Sequence, residues 1–204
     1  MKALLIIDLQ NDFLPGGSLE VENGDVIIPV INSISPKFDL VLATQDWHPA
    51  NHISFASNNK DAKPFDTIEI NGMEQIMWPD HCVQGTKGAQ ISSELDEKPI
   101  EAIFRKGMDP EIDSYSGFYD LNYKKDTGLA GYLRARKVKR LFIAGLAADV
   151  CVYFSTKDAL REGFETYLID DATRAINDEK YIEQKKEHLN KGVKIISSAD
   201  ISAL

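Results

Sequence analysis

Residues 141–151 read Leu141-Phe142-Ile143-Ala144-Gly145-Leu146-Ala147-Ala148-Asp149-Val150-Cys151, and Val152, Thr156, Ala159 and Leu160 then share one helical face. A short apolar run without alternation, a glycine turn and a 3.6-residue period together describe a strand covered on both faces that feeds a helix. The same kind of run recurs at Ala3–Ile7, Leu40–Ala43, Ile100–Phe104, Thr166–Ile169 and Val193–Ile196. Helical patterns lie between several of them. Ile27, Val30, Ile31 and Ile34 follow i, i+3, i+4, i+7; Leu129, Tyr132 and Leu133 follow Thr127 as N-cap; Asn177 caps a stretch running to Lys191. This β-α order predicts an α/β fold, an open six-stranded, mainly parallel sheet with helices on both faces and right-handed crossovers.

The 204 residues suit a single domain, 1–204, with irregular segments at about 47–86 and 107–125, where periodicity fades and Asn, Pro, Gly and His collect. A chain of this length buries roughly 70% of its unfolded surface, so its core needs no metal or disulfide staple. The net charge of −9 repels phosphate backbones and anionic lipid, which argues against nucleic-acid and membrane partners. Cys82 and Cys151 make no disulfide framework, and no apolar run approaches the ~20 residues of a membrane span. A cytoplasmic protein is expected.

Open α/β sheets bind ligands at the carboxyl ends of their strands. The first run ends in Asp8, the second in Thr44-Gln45-Asp46-Trp47-His48, the third reaches Lys106, and the fourth leads to Cys151 at the mouth of a helix. Asp149, Asp170 and Asp171 read as caps of helices and turns. Lys106 has no capping role and needs a partner if covered. An ammonium beside Cys151, together with the helix dipole, favours a thiolate, while Asp8 can take and return its proton. Asp46 and His48 at i, i+2 can point the same way and His81 can complete a three-ligand set with open positions, as in a catalytic Zn²⁺, Fe²⁺ or Mn²⁺ site. The alternative for these three is ordinary loop residues. His52 is a fourth candidate ligand, Asp80 and Cys82 are bystanders, and His188 falls on the exposed face of the last helix.

Six pieces of sequence resemble the isochorismatase-like cysteine hydrolases, and within them the nicotinamidases. They are Ile7-Asp8-Leu9-Gln10-Asn11-Asp12-Phe13, Thr44-Gln45-Asp46-Trp47-His48-Pro49, Trp78-Pro79-Asp80-His81-Cys82-Val83-Gln84-Gly85-Thr86, Phe104-Arg105-Lys106-Gly107, Asp113-Ser114-Tyr115-Ser116-Gly117-Phe118 and Gly145-Leu146-Ala147-Ala148-Asp149-Val150-Cys151-Val152. The resemblance implies a catalytic triad of Asp8, Lys106 and Cys151, metal ligands Asp46, His48 and His81, with His52 an occasional extra, and a divalent metal, foremost Zn²⁺. It further implies a cis Leu146–Ala147 peptide, an oxyanion hole from the backbone N–H groups of Ala147 and Cys151, and Phe13 and Trp78 on either side of an aromatic substrate ring. The implied reaction is hydrolysis of a pyridine carboxamide, nicotinamide or pyrazinamide, through a cysteine thioester; homo-oligomers occur in the family. Ala148 and Val150 depart from the Thr and Tyr frequent at those positions. Two other readings stay open: a related hydrolase acting on another small amide or on isochorismate, and a non-catalytic ligand-, metal- or redox-sensing thiol protein.

Overall fold

The computed structural model describes residues 1–70 and 72–204. Six parallel strands form the main sheet: β1 (Lys2–Ile7), β2 (Leu40–Asp46), β5 (Ile100–Lys106), β6 (Arg140–Gly145), β7 (Glu165–Thr173) and β8 (Lys194–Ile196). Their order is β5-β2-β1-β6-β7-β8, so the chain first builds outward from β1 on one side and then on the other. That reversal at β1 opens a crevice at the carboxyl ends of the strands beside it, the place where such sheets bind ligands. Consecutive residues of β1, β2 and β6 are buried, which requires cover on both faces. That cover comes from α1 (Ile27–Ile34), α2 (Leu129–Ala135), α3 (Cys151–Arg161) and α4 (Asp178–Asn190). β5 instead alternates between covered and exposed residues, as an edge strand does.

Register does more than hold the sheet together. Val41 pairs with Ile100 and Leu42 with Ala102, so Glu101 is an extra residue on β5. Beyond that irregularity Asp46 lies opposite Lys106, whereas an unbroken pairing from Val41 would bring Arg105 there. Arg105 goes elsewhere: its guanidinium sits 4.0 Å from the Trp47 ring centroid and donates to Gln45 Oε1 at 3.0 Å. Between β1 and β6 the backbones meet closely at Gly145, whose φ is +118°; an added Cβ would lie 2.1 Å from the Ile7 carbonyl oxygen.

The expected runs all form strands, with β7 extending past Ile169 to Thr173 and so absorbing Asp170 and Asp171. Two details differ. The irregular segment at 47–86 contains an antiparallel hairpin, β3 (Thr67–Ile70) with β4 (Met73–Ile76), residue 71 of that segment lying outside the described residues. The N-cap of α2 is Gly128 with φ +85°, because the Thr127 hydroxyl donates to the Gly117 carbonyl while accepting from Leu129 N–H. Asn177 does cap α4, accepting from Lys180 N–H at 2.9 Å. Among the described residues no helix is long and apolar enough to cross a membrane.

Candidate active site

Four neighbouring strands deliver the polar residues of the crevice. Asp8 is the first residue past β1 and has φ +46°, a conformation costly for a non-glycine residue, which turns its carboxylate back over the sheet end. Thr44 of β2 holds it, donating to Asp8 Oδ1 at 2.6 Å and accepting from Asp8 N–H at 3.2 Å. Gln10 ties the same two strand ends together, donating to the Asp46 carbonyl and accepting from Asp46 N–H, both at 2.7 Å. Lys106, with its side chain fully buried, reaches Asp8 Oδ2 and Asp46 Oδ1 at 3.0 Å each, Cys151 Sγ at 3.5 Å and the Ser114 carbonyl at 3.1 Å. Cys151 is the first residue of α3, and its sulfur faces the same ammonium. Sulfur, amine and acid thus meet at one point, although they lie far apart in sequence.

The charges of this cluster are set by opposition. Burial works against the Lys106 ammonium, but Asp46 and Asp8 outweigh it and hold its pKa well above the usual lysine range. Burial raises the pKa of Asp8, with Lys106 opposing and Asp46 adding to the rise. Burial also pushes the Cys151 thiol well up, and the nearby carboxylates reinforce this against the pull of Lys106. Burial and two acids thus act against the expected thiolate, while the Lys106 ammonium and the helix end act for it.

Next to the triad, His48 and His81 turn toward Asp46 Oδ2, with Nε2 at 3.0 and 3.6 Å. Each fixes its other nitrogen on a group that can only accept, His48 Nδ1 on the Gly107 carbonyl at 2.9 Å and His81 Nδ1 on that of Pro79 at 2.8 Å. Nδ1 must then carry the hydrogen, which turns Nε2 of each ring toward the carboxylate. This is the outer-sphere anchoring of metal-bound imidazoles, and the donor set of one carboxylate and two imidazoles fits a divalent cation. Gly107, with φ +65°, packs so closely on His48 that a Cβ would lie 2.4 Å from Cε1. His52 stands 4.2 Å from His48 ring to ring; it bonds Ser54 Oγ at 2.7 Å, and burial lowers its pKa to about 4. A second grouping of His48, His52 and Asp113 shares that imidazole.

The site opens into a narrow pocket. Phe13, Trp78 and Tyr115 supply aromatic walls, Leu19, Val150 and Ile176 aliphatic ones, and Cys151, Asp46, His48 and His81 the polar end. The Leu146–Ala147 peptide is cis, and the backbone N–H groups of Ala147 and Cys151 have no hydrogen-bond partner among the described residues.

The sequence profile of the isochorismatase domain matches residues 2–200. The chain belongs to the isochorismatase family. A nicotinamidase of Acinetobacter baylyi is 46% identical to this family member, the match covering 98% of this chain and 94% of that protein. The structure of a nicotinamidase/pyrazinamidase of Acinetobacter baumanii superposes with a TM-score of 0.95 at 41% identity, covering 98% of this chain and 97% of that one. A pyrazinamidase of Pyrococcus horikoshii, solved in complex with zinc, has a TM-score of 0.79 at 39% identity, covering 96% and 98%.

Within this isochorismatase-family site the two departures fall differently. Val150 lines the pocket, whereas Ala148 is buried and its N–H donates to the Arg174 carbonyl. Asp80 accepts from Ser57 Oγ, and Cys82 is buried with its N–H on Asp12 Oδ2; neither faces the ligand set. Asp149 accepts from Ile176 N–H just before α4, and Asp171 from Ser198 N–H at the start of the last 3₁₀ turn, both serving as caps. Asp170 does not: it takes Tyr181 Oη and Lys185 Nζ from the side of α4. His188 is also corrected. It is 1% exposed, because α4 turns it onto Tyr153 of α3, ring centroids 5.0 Å apart. Gln10, Thr44, Gly107 and Gln75 work in the site without having been singled out for a role; the first three lie inside the quoted motifs, but Gln75 does not.

Proposed function

We propose that this chain hydrolyses the carboxamide of nicotinamide to nicotinate and ammonia and also accepts pyrazinamide. The observation that carries this reading is Lys106 Nζ, buried within 3.0 to 3.5 Å of Asp8, Asp46 and the Cys151 sulfur, the last two of which line an aromatic-walled pocket. The 46% identity to a nicotinamidase supports the substrate class. Cys151 attacks the carboxamide carbon as Asp8 takes the thiol proton, and Lys106 balances the negative charge that moves between sulfur and carboxylate. The two unengaged N–H groups of Ala147 and Cys151 donate to the developing oxyanion. Asp8 returns the proton to nitrogen, the C–N bond breaks and ammonia leaves a thioester on Cys151. Asp8 then takes a proton from water as it attacks the thioester; the carbon–sulfur bond breaks, the acid is released and the thiol recovers its proton. Phe13 and Trp78 hold the ring between them.

Asp46, His48 and His81 would hold the divalent ion, with His52 close by. Zn²⁺ is the proposed occupant, Fe²⁺ and Mn²⁺ suiting the same donors. When bound, such an ion supplies a Lewis-acidic contact for a ring heteroatom and so helps orientation, which alone can lower a barrier by several kcal/mol.

The deciding test is ammonia release from nicotinamide and pyrazinamide with and without added Zn²⁺, Fe²⁺ or Mn²⁺. Cys151→Ala, folded by circular dichroism, is expected to lose turnover entirely. Substantial activity in that variant would refute the thioester route, and a folded, metal-supplemented wild type that releases no ammonia from either amide would refute the substrate.

A further inference from the structure

Gln75 of the β3–β4 hairpin is 6% exposed and lies behind two pocket-lining residues, Asp113 and Tyr115. Its Nε2 donates to the Ile76 carbonyl at 2.8 Å, to Asp113 Oδ2 at 3.1 Å and to Tyr115 Oη at 3.1 Å. The first two partners only accept, and they fix which end of the amide faces Tyr115: the nitrogen, whose two hydrogens are shared among the three oxygens. From another side the Trp78 indole N–H, which can only donate, reaches the same phenolic oxygen at 3.2 Å. Tyr115 Oη therefore joins the Gln75 amide to the Trp78 indole. Burial, with the nearby Asp113 charge, holds this phenol well above the usual tyrosine range, so the hydrogen stays on. Of the other side-chain N–H donors lining the pocket, those of His48, His81 and Trp78 are engaged on Gly107, Pro79 and Tyr115.

We infer that Gln75 is a positioning residue: by holding the Tyr115 hydroxyl against the Trp78 indole it fixes two walls of the pocket. This rests on the amidase reading above. A polar residue on the hairpin thus sets how tightly a heteroaromatic amide is held, without touching the reacting atoms.

Steady-state kinetics on the metal-supplemented enzyme test it. Tyr115→Phe, nearly isosteric, is expected to raise KM for nicotinamide about tenfold with kcat within about threefold, since the hydroxyl that joins Gln75 to Trp78 is lost. Gln75→Glu is expected to raise KM similarly, because its carboxylate would face that of Asp113 and break the contact. Gln75→Leu is expected to raise KM in the wild-type background and to add little to Tyr115→Phe, as two changes in one chain of contacts do. An unchanged KM in Tyr115→Phe, or equal effects of Gln75→Leu in both backgrounds, would overturn the inference while leaving the amidase reading intact. A wild type without amidase activity would overturn both, and is recognised by the failure of the parent enzyme rather than of the variants.

Discussion

At the scale of single residues the site depends on one ammonium shared by two buried acids. Removing one member of a buried charge cluster leaves the rest uncompensated, and typically costs 3–5 kcal/mol. Lys106→Met is therefore expected to lower stability by about 3 kcal/mol in urea unfolding and turnover by at least about 10²-fold in ammonia release, since Asp8 and Asp46 would then face each other without a cation. Gly107→Ala tests a different dependence. With φ +65° and a Cβ position 2.4 Å from His48, an alanine must displace the imidazole or the strand end. The expected outcome is a folded protein that retains less divalent metal by elemental analysis. Substantially wild-type metal content would show that His48 is not a ligand.

At the scale of elements, α4 carries a buried titratable group. Burial lowers the His188 pKa from 6.5 to about 4, so between those values the unfolded chain binds a proton that the folded one does not. Stability from this source is complete above pH 6.5 and is lost as pH falls toward 4, by roughly 2 kcal/mol at pH 5. Urea unfolding at pH 7.5 and pH 5 is expected to show a smaller acid loss in His188→Gln than in the wild type, by about that amount. The burial itself was not legible in the sequence: α4 is polar nearly all round, and only the partner helix α3 reveals which side is covered. The strands were legible because continuous apolar runs have few other uses, and strand ends were legible as the site because parallel sheets place ligands there. The hairpin carried a signal that its setting obscured. Asn71-Gly72 between Ile68, Ile70 and Ile76 is a hairpin turn dipeptide between apolar positions, but it sits in a long stretch otherwise rich in loop residues. Gln75 could not be assigned for the same reason, since its contacts with Asp113 and Tyr115 exist only once the hairpin has folded. Nor could composition give the protonation state of Cys151, which depends on how many acids converge on it.

At the scale of the whole molecule, a ligand that binds only the folded chain stabilises it. A divalent ion at about 100 times its dissociation constant adds about 2.7 kcal/mol, which for a domain of this size raises Tm by about 5–10 °C. A chelated sample supplied with Zn²⁺ is expected to show that rise in a thermal scan and His81→Ala to lack it; an equal rise in the variant would place the ion elsewhere. The strand origins of the site reach further. Asp8 follows β1, Asp46 closes β2, Lys106 closes β5 and Cys151 follows β6, so no two of these four residues come from one strand. Parallel pairings between such distant segments form slowly. In a refolding time course, catalytic competence should therefore trail the return of helical signal, and a proteolytic nick in the 107–125 loop should silence the enzyme whenever the severed halves drift apart.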